Sequence, residues 1–303
     1  MTIMNAAELK ERIKKLSIWK KGDQRAPHKP LLILYALGQL QHDGARLLSY
    51  QDVKGRLKYL LKEFGPHRRS YHPEHPFVRL TNDGIWNLNV DPDLVHIKDR
   101  WLLDNGVAGG FSDEVYSLLS KDKNLMREIA QIILNKHFPE TIHGDILESV
   151  GLNIVLEPEG LNNECDPARR RDPRFRERIL RAYEYSCAVC GFNVMLGSKF
   201  VAVEAAHIKW HQAGGPDREE NGVALCTMHH KLFDRGVFTI APTRELIVSQ
   251  EAHGTNGLKE WLMRYHGKQI RKPVHPGYQP GNLYMNWHLK EVFRGPGRYQ
   301  VGC

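Results

Sequence analysis

Cysteine is scarce in this 303-residue chain, with five in all, and the sequence contains no internal repeat and no low-complexity tract. So few thiols over that length exclude the dense disulfide framework of small secreted domains. No apolar run approaches the ~20 residues that a membrane-spanning helix needs. The longest, LLILYALGQL at 31–40, follows a proline and reads as a buried helix. The first residues, MTIMNAAELKERIKKL, carry mixed charge in an amphipathic pattern and lack the apolar core of a secretory signal. A cytoplasmic location with no membrane partner is therefore expected. Acidic residues are also in deficit, 35 against 43 Lys and Arg, which leaves a net charge of +8. A surplus of that sign points to a polyanionic partner. Seven arginines fall between Arg169 and Arg181 in ARRRDPRFRERILRAY, and Arg68 and Arg69 form a second cluster beside His67.

The remaining pattern divides in two, and the length suffices for two domains with cores of their own. The N-terminal half is coarsely helical, with helices expected over 7–20, 29–41, 50–63 and 113–136. Between them, HPFVRLTNDGIWNL at 75–88 offers two β-prone runs around an Asp-Gly step, which predicts a β-hairpin wing on a helical body. Residues 151–170 are irregular, so the chain is divided into 1–155 and 156–303. A helix over PRFRERILRAYEYS opens the second part. It is followed by a hairpin with strands near 199–205 and 237–240, with CTMHHKLFD as a helix between them. YMNWHLKEVF, in a tail rich in proline and glycine, reads as a helical piece packed on this domain. The fold class is α+β.

Three cysteines carry metal-ligand spacing. Cys187 and Cys190 are spaced C-x2-C, and Cys226 and His229 repeat the spacing as C-x2-H at a helix start, where positions i and i+3 share a face. Two such knuckles make a closed tetrahedral site of the structural Zn2+ type. Cys165 and Cys303 receive no role. His230 is rotated about 100° from His229, and Asp234 lies four residues further on, so both project together from the helix. They suit a divalent metal that keeps positions open for substrate oxygen.

Upstream, VEAAHIKW at 203–210 and GGPDREENGVALC at 214–226 place His207, Asn221 and His230 in order, 14 and 9 steps apart. In these residues the sequence resembles the HNH nucleases with a ββα-metal fold, and more narrowly the HNH domain of McrA-like restriction endonucleases, over a core at 180–242. The resemblance implies hydrolysis of a phosphodiester. His207 would be the general base, Asn221 would hold the loop that orients it, and His230 would help bind Mg2+ or Mn2+. Many HNH nucleases carry a metal ligand immediately before the base. Here that position is Ala206, and Glu204 or Asp234 is expected to supply the missing carboxylate.

HKPLLIL, HPFVRL and NDGIW, within 20–110, resemble the sulfur-binding domain of phosphorothioation-dependent McrA-like endonucleases. That resemblance implies a reader of double-stranded DNA in which sulfur replaces a non-bridging phosphate oxygen. Sulfur is larger and less hydrated than oxygen, and His75, Pro76 and the stem of Arg79 would form an apolar cup for it. His75 stands where related domains often have tyrosine. His28, Lys29, Arg68 and Arg69 would hold phosphates or read guanine edges. Two other readings stay open: a reader of methylated or otherwise modified bases, and a zinc-containing DNA-binding regulator without catalysis. Coordinated cleavage of both strands calls for two active sites, so a homodimer is expected.

Overall fold

The computed structural model describes residues 4–19, 21–91, 95–156 and 172–298. Arg169, Arg170 and Arg171 of the basic run, together with Cys165 and Cys303, lie outside the described residues. The chain divides into two compact units, Met1–Asn162 and Asn163–Cys303.

The first unit is built around one helix that is apolar on almost every side. α1 spans Ala6–Lys14 and α2 spans His28–Asp43. In α2, Leu31 to Leu34 and Leu37 are fully buried, as its unbroken apolar run requires. β1 (Leu47–Ser49) leads into α3 (Tyr50–Phe64), whose start is capped by the Ser49 side chain accepting from the Asp52 amide. α4 (Glu74–Arg79), β2 (Trp86–Leu88), α5 (Asp99–Asp104) and β3 (Ala108–Phe111) follow. β3 pairs antiparallel with both β1 and β2, so the strand order is β1-β3-β2. α6 (Asp113–Lys121), α7 (Lys123–His137) and α8 (His143–Val150) complete the unit. The single helix expected over 113–136 is two. Asp122 adopts an extended conformation between them, and its side chain accepts from the amides of Asn124 and Leu125. Aspartate caps a new helix better than it continues an old one.

The expected β-hairpin wing is also absent. HPFVRL is helical: Pro73 stands at the cap of α4, and Pro76 falls in its first turn, where a missing N–H leaves no bond unmade. A 3-10 turn over Leu80–Asp83 follows, and Gly84 closes it in the left-handed region at φ 68°. The Asp-Gly step thus ends a helix instead of turning a hairpin. Only Trp86–Leu88 is extended, and its partner is the distant β3. Trp86, Phe77 and Phe111 form successive edge-to-face contacts inside the unit.

The second unit opens with α9 (Phe175–Ala182), and its hairpin of β4 (Val194–Leu196) and β5 (Lys199–Val201) follows the first cysteine knuckle. β6 (Val203–His207) and β7 (Gly222–Cys226) pair antiparallel, with His207 opposite Gly222. β7 runs directly into α10 (Thr227–Asp234). The hairpin partner of β6 is therefore 222–226 and not 237–240. The latter segment is β8 (Phe238–Ile240), which pairs with β9 (Leu246–Val248). GVALC supplies five residues that pair with all five of β6, from Val203 opposite Cys226 to His207 opposite Gly222. α11 (Asn256–Trp261) and α12 (Asn282–Glu291) close the unit. α12 covers the expected helical tail piece as far as Glu291 and places Met285 in the common core with Phe233 and Phe238.

Candidate functional site

The two knuckles meet as the spacing predicts. The ligand atoms of Cys187, Cys190, Cys226 and His229 all lie within 4.8 Å of one another. Cys187 Sγ is 3.7 Å from His229 Nδ1, Cys226 Sγ is 3.1 Å from the same nitrogen, and Cys190 Sγ is 4.0 Å from Cys226 Sγ. A tetrahedral ion with bonds near 2.3 Å to sulfur separates two thiolates by about 3.8 Å, so the pocket has the right size. His229 Nε2 donates to the carbonyl of Trp261 at 2.8 Å, which leaves Nδ1 facing the sulfurs. Hydrogen bonds from Cys190 and Cys226 hold the Cys187 thiol far below its ordinary range. The same contacts push the Cys226 thiol up, so of these two it is Cys187 that is held as the thiolate. These four residues could hold a metal ion.

His230 follows His229 and turns to another set of partners. Its Nδ1 is 2.7 Å from Glu204 Oε2 on β6, and its Nε2 is 3.2 Å from Asp234 Oδ2 one turn on. Burial pulls the imidazole toward neutrality, but the two carboxylates outweigh it and raise its pKa to about 9. The two carboxylates differ. The Glu204 side chain is 38% exposed, whereas that of Asp234 is 2% exposed. Asp234 Oδ1 accepts from the Trp210 indole at 2.9 Å. Geometry thus separates the two candidate ligands: Glu204 is open to a cation, and Asp234 is enclosed behind His230. A divalent cation here would have to displace a proton from His230, after which an imidazole nitrogen and the Glu204 carboxylate would be its donors.

Asn221 is completely buried and acts on the loop between β6 and β7. Its Oδ1 accepts from the Lys209 amide at 2.8 Å, and its Nδ2 donates to the carbonyls of Lys209 and Pro216, both at 3.0 Å. This clamp needs Gly215, because a β-carbon there would lie 1.8 Å from the Lys209 carbonyl oxygen. The clamp brings Asp217, a residue without sequence signal in a polar loop, to 2.7 Å from His207 Nε2. Phe175 of α9 stacks on the His207 ring at 4.2 Å and 15°. Arg178, from the arginine run, donates to the Asp217 carbonyl and pairs with Asp172 and Glu219. Part of that run therefore builds the site.

In the first unit, His28 stands at the start of α2. Burial, and then the charges of His72, Arg68 and His75, lower its pKa to about 4. Those residues therefore share one neighbourhood, which Arg79 joins through His75. His75 Nδ1 is buried without a hydrogen-bond partner, Pro76 is buried, and Arg69 and Arg79 are exposed. Lys29 behaves differently. Its ammonium lies 2.5 Å from Asp83, with both side chains largely buried. Asp83 also accepts from the Ser17 amide, so this pair fixes the turn before β2. Sequence reasoning missed His72 and Glu74, which are joined at 2.9 Å beside His75.

An antiparallel pair that runs into a helix, with His207, Asn221 and His230 placed around it and four metal-capable residues nearby, is the arrangement that the resemblance to HNH nucleases implies. Comparison with known families agrees: residues 187–241 match the HNH endonuclease family, and residues 6–154 match the ScoMcrA-like DNA sulfur-binding domain. The chain thus carries, in order, a region that matches the ScoMcrA-like DNA sulfur-binding domain and a region that matches the HNH endonuclease family. Among solved structures it is similar to the sulfur-binding domain of SprMcrA complexed with phosphorothioated DNA (20% identity, 49% of this chain and 95% of that chain, TM-score 0.43). It is also similar to the type IV phosphorothioation-dependent restriction endonuclease ScoMcrA (19%, 47% and 28%, TM-score 0.40) and to the modification-dependent restriction endonuclease TagI (23%, 39% and 37%, TM-score 0.29). No curated protein matches the chain. Among the described residues, no helix is long and apolar enough to cross a membrane.

Proposed function

We propose that this chain is a modification-dependent restriction endonuclease that reads phosphorothioate DNA with residues 1–155 and hydrolyses a nearby phosphodiester with residues 156–303. The carrying observation is the union, in one chain, of a DNA sulfur-binding domain with an HNH endonuclease domain. In the reader, His75 and the Arg79 stem line the sulfur cup over buried Pro76, while His28, Arg68 and Arg69 face neighbouring phosphates and base edges. Lys29 supports the reader through Asp83 and does not touch DNA.

In the nuclease, His207 takes a proton from water, the water oxygen bonds to phosphorus, and the bond from phosphorus to one bridging oxygen breaks. Glu204 and His230 hold Mg2+ or Mn2+, which supplies Lewis-acid stabilisation of the charge on phosphate and leaving oxygen. Asp234 orients His230 from behind. Cys187, Cys190, Cys226 and His229 hold Zn2+ as a scaffold.

The test compares three matched duplexes, unmodified, phosphorothioate-bearing and methylated, for binding and cleavage by the full chain with Mg2+ or Mn2+. Preferential binding and cutting of the phosphorothioate duplex is expected, and His207→Ala should bind it without cutting. Equal binding to all three would remove sulfur recognition. Preference for the methylated duplex would establish a base reader, and binding without cleavage under either metal would leave only a regulator.

A further inference from the structure

The contact between His207 and Asp217 belongs to no motif, yet it is the most enclosed pair in the nuclease unit that involves the proposed base. Both side chains are largely buried, at 14% and 13% exposure. The aspartate is itself restrained at every polar atom that could let it swing. Its Oδ2 accepts from the Asp172 amide at 2.6 Å, its carbonyl accepts from Arg178 at 2.8 Å, and the preceding carbonyl, of Pro216, is held by Asn221. Burial pushes the Asp217 carboxyl up, but the hydrogen bonds from His207 and from the Asp172 amide outweigh it and hold it below the usual range. It is therefore a carboxylate, which accepts hydrogen bonds and cannot donate them.

We propose that Asp217 is the positioning residue of the proposed base: its carboxylate keeps the His207 proton on Nε2 and so turns the Nδ1 lone pair toward the attacking water. Opposite a carboxylate at 2.7 Å, Nε2 has to be the donor. A neutral imidazole carries one N–H, so Nδ1 is left as its acceptor. The stacked Phe175 ring prevents the imidazole from tilting out of that plane. When Nδ1 takes the water proton, the resulting positive charge forms beside the Asp217 carboxylate, so the pair is stronger after proton transfer than before it. An aspartate behind a histidine base acts in the same way in serine hydrolases, where the carboxylate sets the tautomer without itself taking the proton.

The inference rests on the nuclease reading of His207, and the test separates the two. In full-length protein labelled with 15N-histidine, the His207 signal, identified by its loss in His207→Gln, is expected to show a protonated Nε2 and an unprotonated Nδ1 near neutral pH. Asp217→Asn presents an amide that can donate to Nε2, which should move the proton to Nδ1. Cleavage of the phosphorothioate duplex should then fall in kcat by about 100-fold or more, with KM unchanged because Asp217 touches no DNA. Asp217→Ala should fall by a smaller factor, since it removes orientation without enforcing the wrong tautomer. A wild-type His207 protonated on Nδ1 would overturn the proposal whether or not any variant folds. So would an Asp217→Asn enzyme with kcat within threefold of wild type while His207→Ala is inactive. Cleavage that survives His207→Ala would instead remove the nuclease role of His207, whatever its tautomer.

Discussion

The indole nitrogen of Trp210 donates to Oδ1 of Asp234 over 2.9 Å, joining the end of the β6 loop to the last turn of α10. The same carboxylate faces His230 with its other oxygen. Trp210→Phe keeps an aromatic ring beside Trp287 and removes the donor together with part of the buried indole's volume. The expected result is a 10- to 100-fold rise in the divalent-metal concentration needed for cleavage, roughly the cost of disturbing a group that orients a metal-binding histidine. Titration of cleavage rate against Mn2+, with Mn2+ binding followed by electron paramagnetic resonance, checks it. An unchanged metal requirement would show that the indole does not orient the site.

The four-residue cluster at the base of the nuclease unit should bind one zinc per chain, measurable by elemental analysis of purified protein. Cys190→Ser should lower that content and the melting temperature of the second unit together. Structural zinc contributes several kcal/mol to folding in small metal domains, so a chelator should remove one calorimetric transition and leave the transition of the first unit in place. Retention of both transitions without zinc would make the cluster an ordinary buried thiol group.

Acid should weaken the first unit through His28. Its pKa in the folded chain is about 4, below the ordinary value of 6.5. The unfolded chain therefore takes up a proton that the folded chain refuses as pH falls from 6.5 toward 4, and stability is lost over that window. Above pH 6.5 both states are neutral and the effect vanishes. Between pH 7 and pH 5 the wild type should lose on the order of 5 °C more in melting temperature than His28→Gln, as read by differential scanning calorimetry. Equal losses would mean that His28 is free to protonate in the folded chain.

The reader's cations should separate by salt dependence. Arg69 is exposed, so Arg69→Ala should reduce the slope of log binding constant against log salt by about 1. Lys29 is committed to Asp83, so Lys29→Gln should leave that slope unchanged. Asp83→Asn, which leaves a mostly buried ammonium unpaired, should destabilise the first unit by about 3 kcal/mol. Fluorescence anisotropy at several salt concentrations and urea unfolding give the two readouts.

The parts of this molecule that were legible in the sequence are those specified locally. Cys187, Cys190, Cys226 and His229 are fixed by spacings of three residues on a turn and a helix start, and they meet as expected. The opposed directions of His229 and His230 follow from helix geometry alone. The hairpin wing failed because HPFVRL is β-prone by composition, whereas the prolines at 73 and 76 suit a helix's first turn. The partner of β6 was misplaced because two apolar runs, GVALC and FTI, compete for it; both are buried throughout, and only GVALC pairs with β6, over all five of its residues. Whether Asp234 is ligand or support depends on enclosure by Trp210, 24 residues away, which no periodicity encodes. Asp217 was invisible for the same reason: only the Asn221 clamp makes it a neighbour of His207.

Cys226 is at once the last residue of β7 and the cap of α10, and only two residues separate it from His229. The scaffold cluster and the cutting machinery are therefore coupled through one short piece of backbone, with no slack to absorb a change at either end. Damage to the sulfurs would therefore loosen the helix that carries His230 together with the scaffold, while the first unit keeps its shape. Such an enzyme would go blunt while still able to grip its target.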